Sequence, residues 1–145
     1  MTVQSSCELC EKAGGEVVFR NERLRIVLVD DPDYPGFCRV MWNVHTAEMS
    51  DLSAKEREQL MSAVWLVETS IREVMRPDKI NLASLGNVVP HLHWHVIPRY
   101  ADDRHFPAPV WAEARRDPSQ KTLAARAALL PELKRRLAEQ VAHLG

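Results

Sequence analysis

Between Pro90 and Pro98 the chain alternates histidine with large apolar residues, His91-Leu92-His93-Trp94-His95-Val96-Ile97. A period of two marks a β-strand, in which successive side chains point to opposite faces. His91, His93 and His95 therefore share one face, and Leu92, Trp94 and Val96 the other. Same-face neighbours stand ~6.6 Å apart along the strand, from a rise of about 3.3 Å per residue. The apolar face explains the strand by burial against a core. The histidine face needs another reason, because each imidazole brings two polar nitrogens that need partners. Three readings compete: a row of surface or separately satisfied histidines, a metal site drawing on an HxH pair, and a catalytic face on which a neutral imidazole attacks phosphorus while its neighbours donate.

Further strands and one long helix can be read around this segment. Residues 17–20 and 24–29 predict two strands, with Asn21, Glu22 and Arg23 as the turn between them, and 37–42 predicts a third. The intervening 30–36, rich in Asp, Pro and Gly, is a loop. Leu24, Ile26 and Leu28 alternate and are assigned to the core, with the lining of a ligand pocket as the alternative. Ser53 and Glu56 form a capping box, in which Ser53 accepts from the amide three residues on and Glu56 reaches back. The helix it opens carries Leu60, Met61, Val64, Val67, Ile71, Val74 and Met75 at helical spacing, and Pro77 marks its end. Its methionines and Trp65 are read as core residues. Residues 79–85 and the histidine segment complete five strands. The first connections are short, so the expected class is α+β, with a mainly antiparallel five-stranded sheet and one long helix.

The main domain is expected over 1–112, followed by a C-terminal helical extension over 113–145. Residues 102–111 are Pro-rich and irregular, while from about Lys121 the text is helical, with Pro131 interrupting it or opening a second helix. Leu130, Leu133, Leu137, Val141 and Leu144 form an apolar stripe. It is expected to pack on the domain or on a partner protomer, because the opposite face mixes Glu132, Lys134, Arg135, Arg136 and Glu139 instead of being basic.

A chain of 145 residues can bury the core of one compact domain. Its formal charge of −1, from 19 basic and 20 acidic residues, gives no electrostatic reason to expect a nucleic-acid or membrane partner. The N-terminus lacks the basic and apolar regions of a signal peptide, and no apolar run approaches a membrane span. A cytoplasmic protein is expected. Cys7, Cys10 and Cys38 do not suggest a disulfide framework. The Cys7-Glu8-Leu9-Cys10 motif is open between a redox pair, a metal half-site and free thiols.

His91 to Ile97 fits, without a gap, the His-φ-His-φ-His-φ-φ signature (φ apolar) of the histidine triad nucleotide hydrolases and transferases. The resemblance extends over roughly residues 7–100. It implies a HIT-like fold that dimerises through the long helix and an edge strand. It also implies a nucleotide substrate whose α-phosphorus is attacked by His93 to give a nucleotidyl-imidazole, which water then hydrolyses. The other nitrogen of His93 would donate to the backbone carbonyl of His95, and the His95 side chain would stabilise charge on the phosphate or leaving group. Gly86 would admit phosphate close to the backbone, the Asn87 amide would replace a usual Gln donor, and Asp30 would hold the ribose hydroxyls. In the zinc-bearing branch of the family a similar C-x-x-C joins two histidines. By that resemblance Cys7, Cys10, His45 and His91 would hold a structural Zn2+.

Three departures from the family pattern bear on substrate choice. Pro35-Gly36-Phe37 stands where relatives have Pro-x-His, so a phenyl ring replaces an imidazole on the phosphate side. His105 or Arg104 is a candidate for the lost role. The loop before the triad is short and lacks the usual Asn-x-Gly, leaving Asn81 or Ser84 as substitutes, and Val88 lacks a leaving-group hydroxyl. These changes lead us to expect a small leaving group, as in a nucleoside phosphoramidate. The alternatives are dinucleoside polyphosphate hydrolysis and a nucleotide-binding scaffold with little turnover.

Overall fold

The alternating segment pairs on both sides as an inner strand of an antiparallel sheet in the computed structural model, which describes residues 7–144. The six residues before Cys7, read above for a leader, lie outside the described residues. The elements are α1 (Glu8–Glu11), β1 (Glu16–Arg20), β2 (Leu24–Leu28), β3 (Cys38–Trp42), α2 (Ala54–Met75), β4 (Lys79–Ala83), β5 (His93–Arg99), α3 (Gln120–Ala127) and α4 (Leu130–Gln140). The strands run β1-β2-β3-β5-β4, every pair antiparallel, so β1 and β4 are the edges. The short helix α1 was not predicted. β5 begins at His93, so His91 and Leu92 lie ahead of the strand instead of within it.

The period-two reading of the faces holds where it matters. Leu24, Ile26 and Leu28 of β2, Cys38, Val40 and Trp42 of β3, and Leu92 and Val96 share one core with Leu60, Val64, Val67, Ile71 and Val74 of α2. The capping box forms: Ser53 Oγ accepts from the Glu56 amide at 3.2 Å, and Glu56 accepts from the Ser53 amide at 2.8 Å. The helix stops at Arg76, whose left-handed φ of 49° precedes Pro77. Trp65 corrects the expectation: it is 57% exposed. It lies about 100° round the helix from Val64, off the buried stripe.

The C-terminal stripe packs on this same core. Pro131 stands in the first turn of α4, and Leu133 and Leu137 are fully buried against α2. Each such leucine contributes roughly 1.5–3 kcal/mol of apolar transfer.

The sheet's other face carries the histidines, and the segment after β5 is locked over it by a buried ion pair. Arg99 Nε donates to Asp103 Oδ2 at 2.8 Å, and both side chains are buried. Arg99 also donates to Asn81 and to the Ala108 carbonyl, while Asp103 accepts from Tyr34 Oη and from the amides of Tyr100, His105 and Phe106. Burial alone would raise the Asp103 carboxyl, but the Arg99 bond and these amides outweigh it and hold it at about 2. Its unfolded value is about 3.9, so its stabilisation is complete above that pH and is lost as pH falls towards 2. Removing one partner of a buried pair leaves the other unpaired, so Asp103→Ala should lower the unfolding free energy by about 3–5 kcal/mol. Urea unfolding at neutral pH checks this, and a loss below about 1 kcal/mol would mean the lock is not structural.

Candidate functional site

His91 reaches its place through the sheet's irregular continuation, where the Leu92 amide donates to the Thr46 carbonyl and the Trp42 amide to the Leu92 carbonyl. Its ring is fully buried, and Nε2–H donates to the Trp42 carbonyl at 2.6 Å. That bond fixes the tautomer and turns the lone pair of Nδ1 towards the cysteines. Cys7 Sγ and Cys10 Sγ each lie 3.4 Å from His91 Nδ1, and Cys10 Sγ lies 3.3 Å from His45 Nδ1. The four ligand atoms stand within 4.8 Å of one another. A zinc tetrahedron with ordinary Zn–S and Zn–N lengths has S···N edges of about 3.6 Å, so the cluster fits such an ion. Two thiols and two imidazoles are borderline-soft donors, and a closed set of four suits a structural metal.

The turn that carries the cysteines is held from beneath by Arg25 of β2. Its guanidinium donates to the carbonyls of Leu9, Lys12 and Ala13 and to Asn43 Oδ1. Gly14, at φ 85°, lets the chain pass over Met41, whose Cε would stand 2.6 Å from any Cβ there.

His93 is buried, and its Nδ1–H donates to the carbonyl of His91 at 2.5 Å. This corrects the acceptor expected at His95. The His91 carbonyl lies ahead of the first β3–β5 pair, Met41 with His93, and is free of the ladder. His93 Nε2 is thereby the nitrogen with an available lone pair. Burial lowers the His93 pKa, the His91 hydrogen bond opposes it, and the charge of Arg39 adds to the lowering. Burial, then His93 and Arg39, push His95 down to about 4, so it is neutral at neutral pH. His95 Nδ1 is buried with no hydrogen-bond partner among the described residues.

Around His95 stand Phe37, edge-on at 5.7 Å between ring centroids, and Trp111 at 5.0 Å. Phe37 also packs with Tyr34 and Ile97. The sequence offered no local signal for Trp111, which the Arg99–Asp103 lock brings back over β5. Arg39 faces His95 directly across the β3–β5 pair. A cation in the middle of an apolar strand was the signal for it.

The remaining sequence candidates are placed less closely. Ser84 Oγ donates to the His93 carbonyl at 2.9 Å, whereas Asn81 is taken by Arg99. Gly86, at φ 73°, joins Ser84, Met49, His91 and His93 in lining a cleft of about 410 Å³. Asn87 is exposed in the same loop, and Asp30 is exposed just past β2. Tyr34 Oη and His105 Nδ1 are 2.6 Å apart, and Arg104 pairs with Asp117 and Asp33. The partners of His105 and Arg104 thus lie outside the triad.

The HIT domain family model matches residues 11–102. The AP-4-A phosphorylase of Mycobacterium tuberculosis (strain CDC 1551 / Oshkosh) is 32% identical over 98 residues, 63% of this chain and 50% of its own. The bis(5'-adenosyl)-triphosphatase of Saccharomyces cerevisiae (strain YJM789) is 32% identical over 92 residues, 59% of this chain and 45% of its own. The chain thus spans about half the length of these curated relatives. A histidine triad protein from Bradyrhizobium japonicum shares the fold with a TM-score of 0.74 at 25% identity, over 94% of this chain and 99% of its own. A Zn-bound histidine triad family protein from Mycobacterium smegmatis does so with a TM-score of 0.58 at 23% identity, over 90% and 96%. With the family model matched over more than half of its length, and with the three alternating histidines on β5 and the segment leading into it, the chain belongs to the HIT domain family.

Proposed function

We propose that the protein transfers a nucleotidyl group from a nucleoside 5′-phosphate donor to His93 and then to water. The observation that carries this is the bond from His93 Nδ1–H to the His91 carbonyl, which commits one nitrogen and leaves Nε2 as a neutral nucleophile. Nε2 attacks the α-phosphorus, a P–N bond forms, and the bond to the leaving group breaks as that group takes up a proton. Water then attacks the same phosphorus and returns His93. His95, neutral and beside the nucleophile, is placed to hydrogen-bond a phosphate oxygen or the departing atom. Gly86 and Asn87 border the approach to His93, and Asp30 would accept from the ribose hydroxyls.

Phe37 and Trp111 flank His95 with apolar rings and favour a small leaving group, as in a nucleoside phosphoramidate. The second reading, a dinucleoside polyphosphate substrate, is favoured by the names of the two curated relatives. Cys7, Cys10, His45 and His91 would hold one structural Zn2+, tying the N-terminal turn to the triad. The protein would act as a homodimer, with exposed Trp65 on α2 and exposed Leu82 and Leu85 beside the free edge of β4 as the apolar surface. No disulfide joins the described cysteines, which suits a reducing compartment such as the cytoplasm. No helix among the described residues is long and apolar enough to cross a membrane.

Removing the attacking atom should cost far more than removing a donor. His93→Ala is expected to lower kcat by at least about 10³-fold and His95→Ala by about 10- to 100-fold, both with unchanged folding. Steady-state kinetics on any active donor decides it, and an active His93→Ala enzyme would refute the nucleophile. The donor class is settled by kcat/KM for an adenosine phosphoramidate against a diadenosine polyphosphate. A tenfold preference for the polyphosphate, about 1.4 kcal/mol, would establish the second reading. Turnover of neither donor would point to a binding scaffold.

Elemental analysis of untagged protein purified without chelator should find one zinc per chain. Stripping the metal should lower Tm, because the site closes the N-terminal turn onto the sheet. A zinc content near zero would mean that these four residues hold no metal.

A further inference from the structure

The sheet's histidine face also carries arginines, and their donors are spent very differently. Arg25 gives its donors to three carbonyls and an amide oxygen, and Arg99 is paired with Asp103. Arg39 gives one bond, from Nη1 to the Gly14 carbonyl at 3.1 Å. Its Nε is buried with no partner, and no carboxylate among the described residues makes an ion pair with it. Glu8 and Asp31 favour its charge only from a distance. Placing a guanidinium in the middle of a central strand costs desolvation, which a single carbonyl does not offset.

We infer that Arg39 holds the phosphate on which His93 acts, through guanidinium donors that the fold leaves unspent. This rests on the reading of the triad face as a site of nucleotidyl transfer. Arg39 and His95 are directly paired on neighbouring antiparallel strands, which puts their side chains on one face about 4.5–5.5 Å apart at Cβ. His93, two residues along, shares that face. Phe37, whose ring lies 5.8 Å from the Arg39 guanidinium carbon, has no donor to offer an anion. His95, the neighbour directly across the strand pair, is neutral at neutral pH and brings no charge to a phosphate here. A guanidinium keeps its charge when partly buried and presents paired N–H groups that match phosphate oxygens. The competing role is structural: through the Gly14 carbonyl, Arg39 would only pin the N-terminal segment.

Calorimetric titration of the full chain with AMP and with adenosine separates the two roles. Wild-type protein should prefer AMP. Arg39→Met should lose about 10- to 100-fold in AMP affinity, the loss of a charged hydrogen-bonded contact, while adenosine binding stays as it was. Arg39→Lys keeps the charge but not the fork and should lose about 3- to 10-fold. If Arg39→Met fails to fold, the lysine variant decides alone. Equal losses for AMP and adenosine, no loss for either, or a wild-type protein with no preference for AMP would each overturn the assignment. Because this is a binding measurement, it is separable from catalysis. A wild-type chain that prefers AMP through Arg39 but turns over no donor would sink the transfer reading and leave Arg39 in place. Turnover with unaltered AMP affinity in the variants would do the reverse.

Discussion

The His91 ring has both nitrogens committed, and its own backbone commits a third group. Nε2–H is held by the Trp42 carbonyl, Nδ1 faces the sulfurs of Cys7 and Cys10, and the His91 carbonyl receives the Nδ1–H of His93. The first bond sets the ring against β3, the second contact ties the N-terminal turn to it, and the third sets the tautomer of the next histidine. A change at this one position would therefore reach the candidate metal cluster and the presentation of His93 together. It also explains why His91 stands ahead of β5. Its carbonyl can serve His93 because no ladder partner takes it.

Two buried arginines apply the same physics at opposite ends of this face. Arg25 collects carbonyls at the end of α1, which the short helix cannot satisfy itself, and so fixes the turn that carries the cysteines. Arg99, neutralised by Asp103, collects Asn81 and the Ala108 carbonyl and fixes the segment that brings Trp111 beside His95. Arg39 lies between them in the sheet and lacks comparable partners. The contrast within one sheet, rather than the presence of a cation, is what singles it out.

What was legible in the sequence was local or periodic. The capping box at Ser53 and Glu56, the stop at Pro77, the alternation through Leu92, Trp94 and Val96, and the four metal-ligand candidates are short-range patterns, and the structure brings the last together. The stripe on α4 was legible as apolar, but its partner, α2, was not, since packing on the domain and on a protomer leave the same pattern. Trp65 is exposed despite its residue type, because its angle on the helix places it off the buried stripe. The acceptor for His93 was misplaced because the start of β5 depends on where β3 stops pairing, which no residue near His91 announces. Trp111 depends on a long-range ion pair and had no signature of its own.

The central claim is that His93 carries the nucleotidyl group between donor and water. Rapid quenching of wild-type protein with an adenylyl donor, followed by intact mass and peptide mapping, tests it most directly. The account predicts a transient gain of one adenylyl group per chain, labile to acid as a phosphoramidate and mapped to His93. Turnover at the same rate with no adduct during the first cycle, or an adduct on another residue, would contradict it.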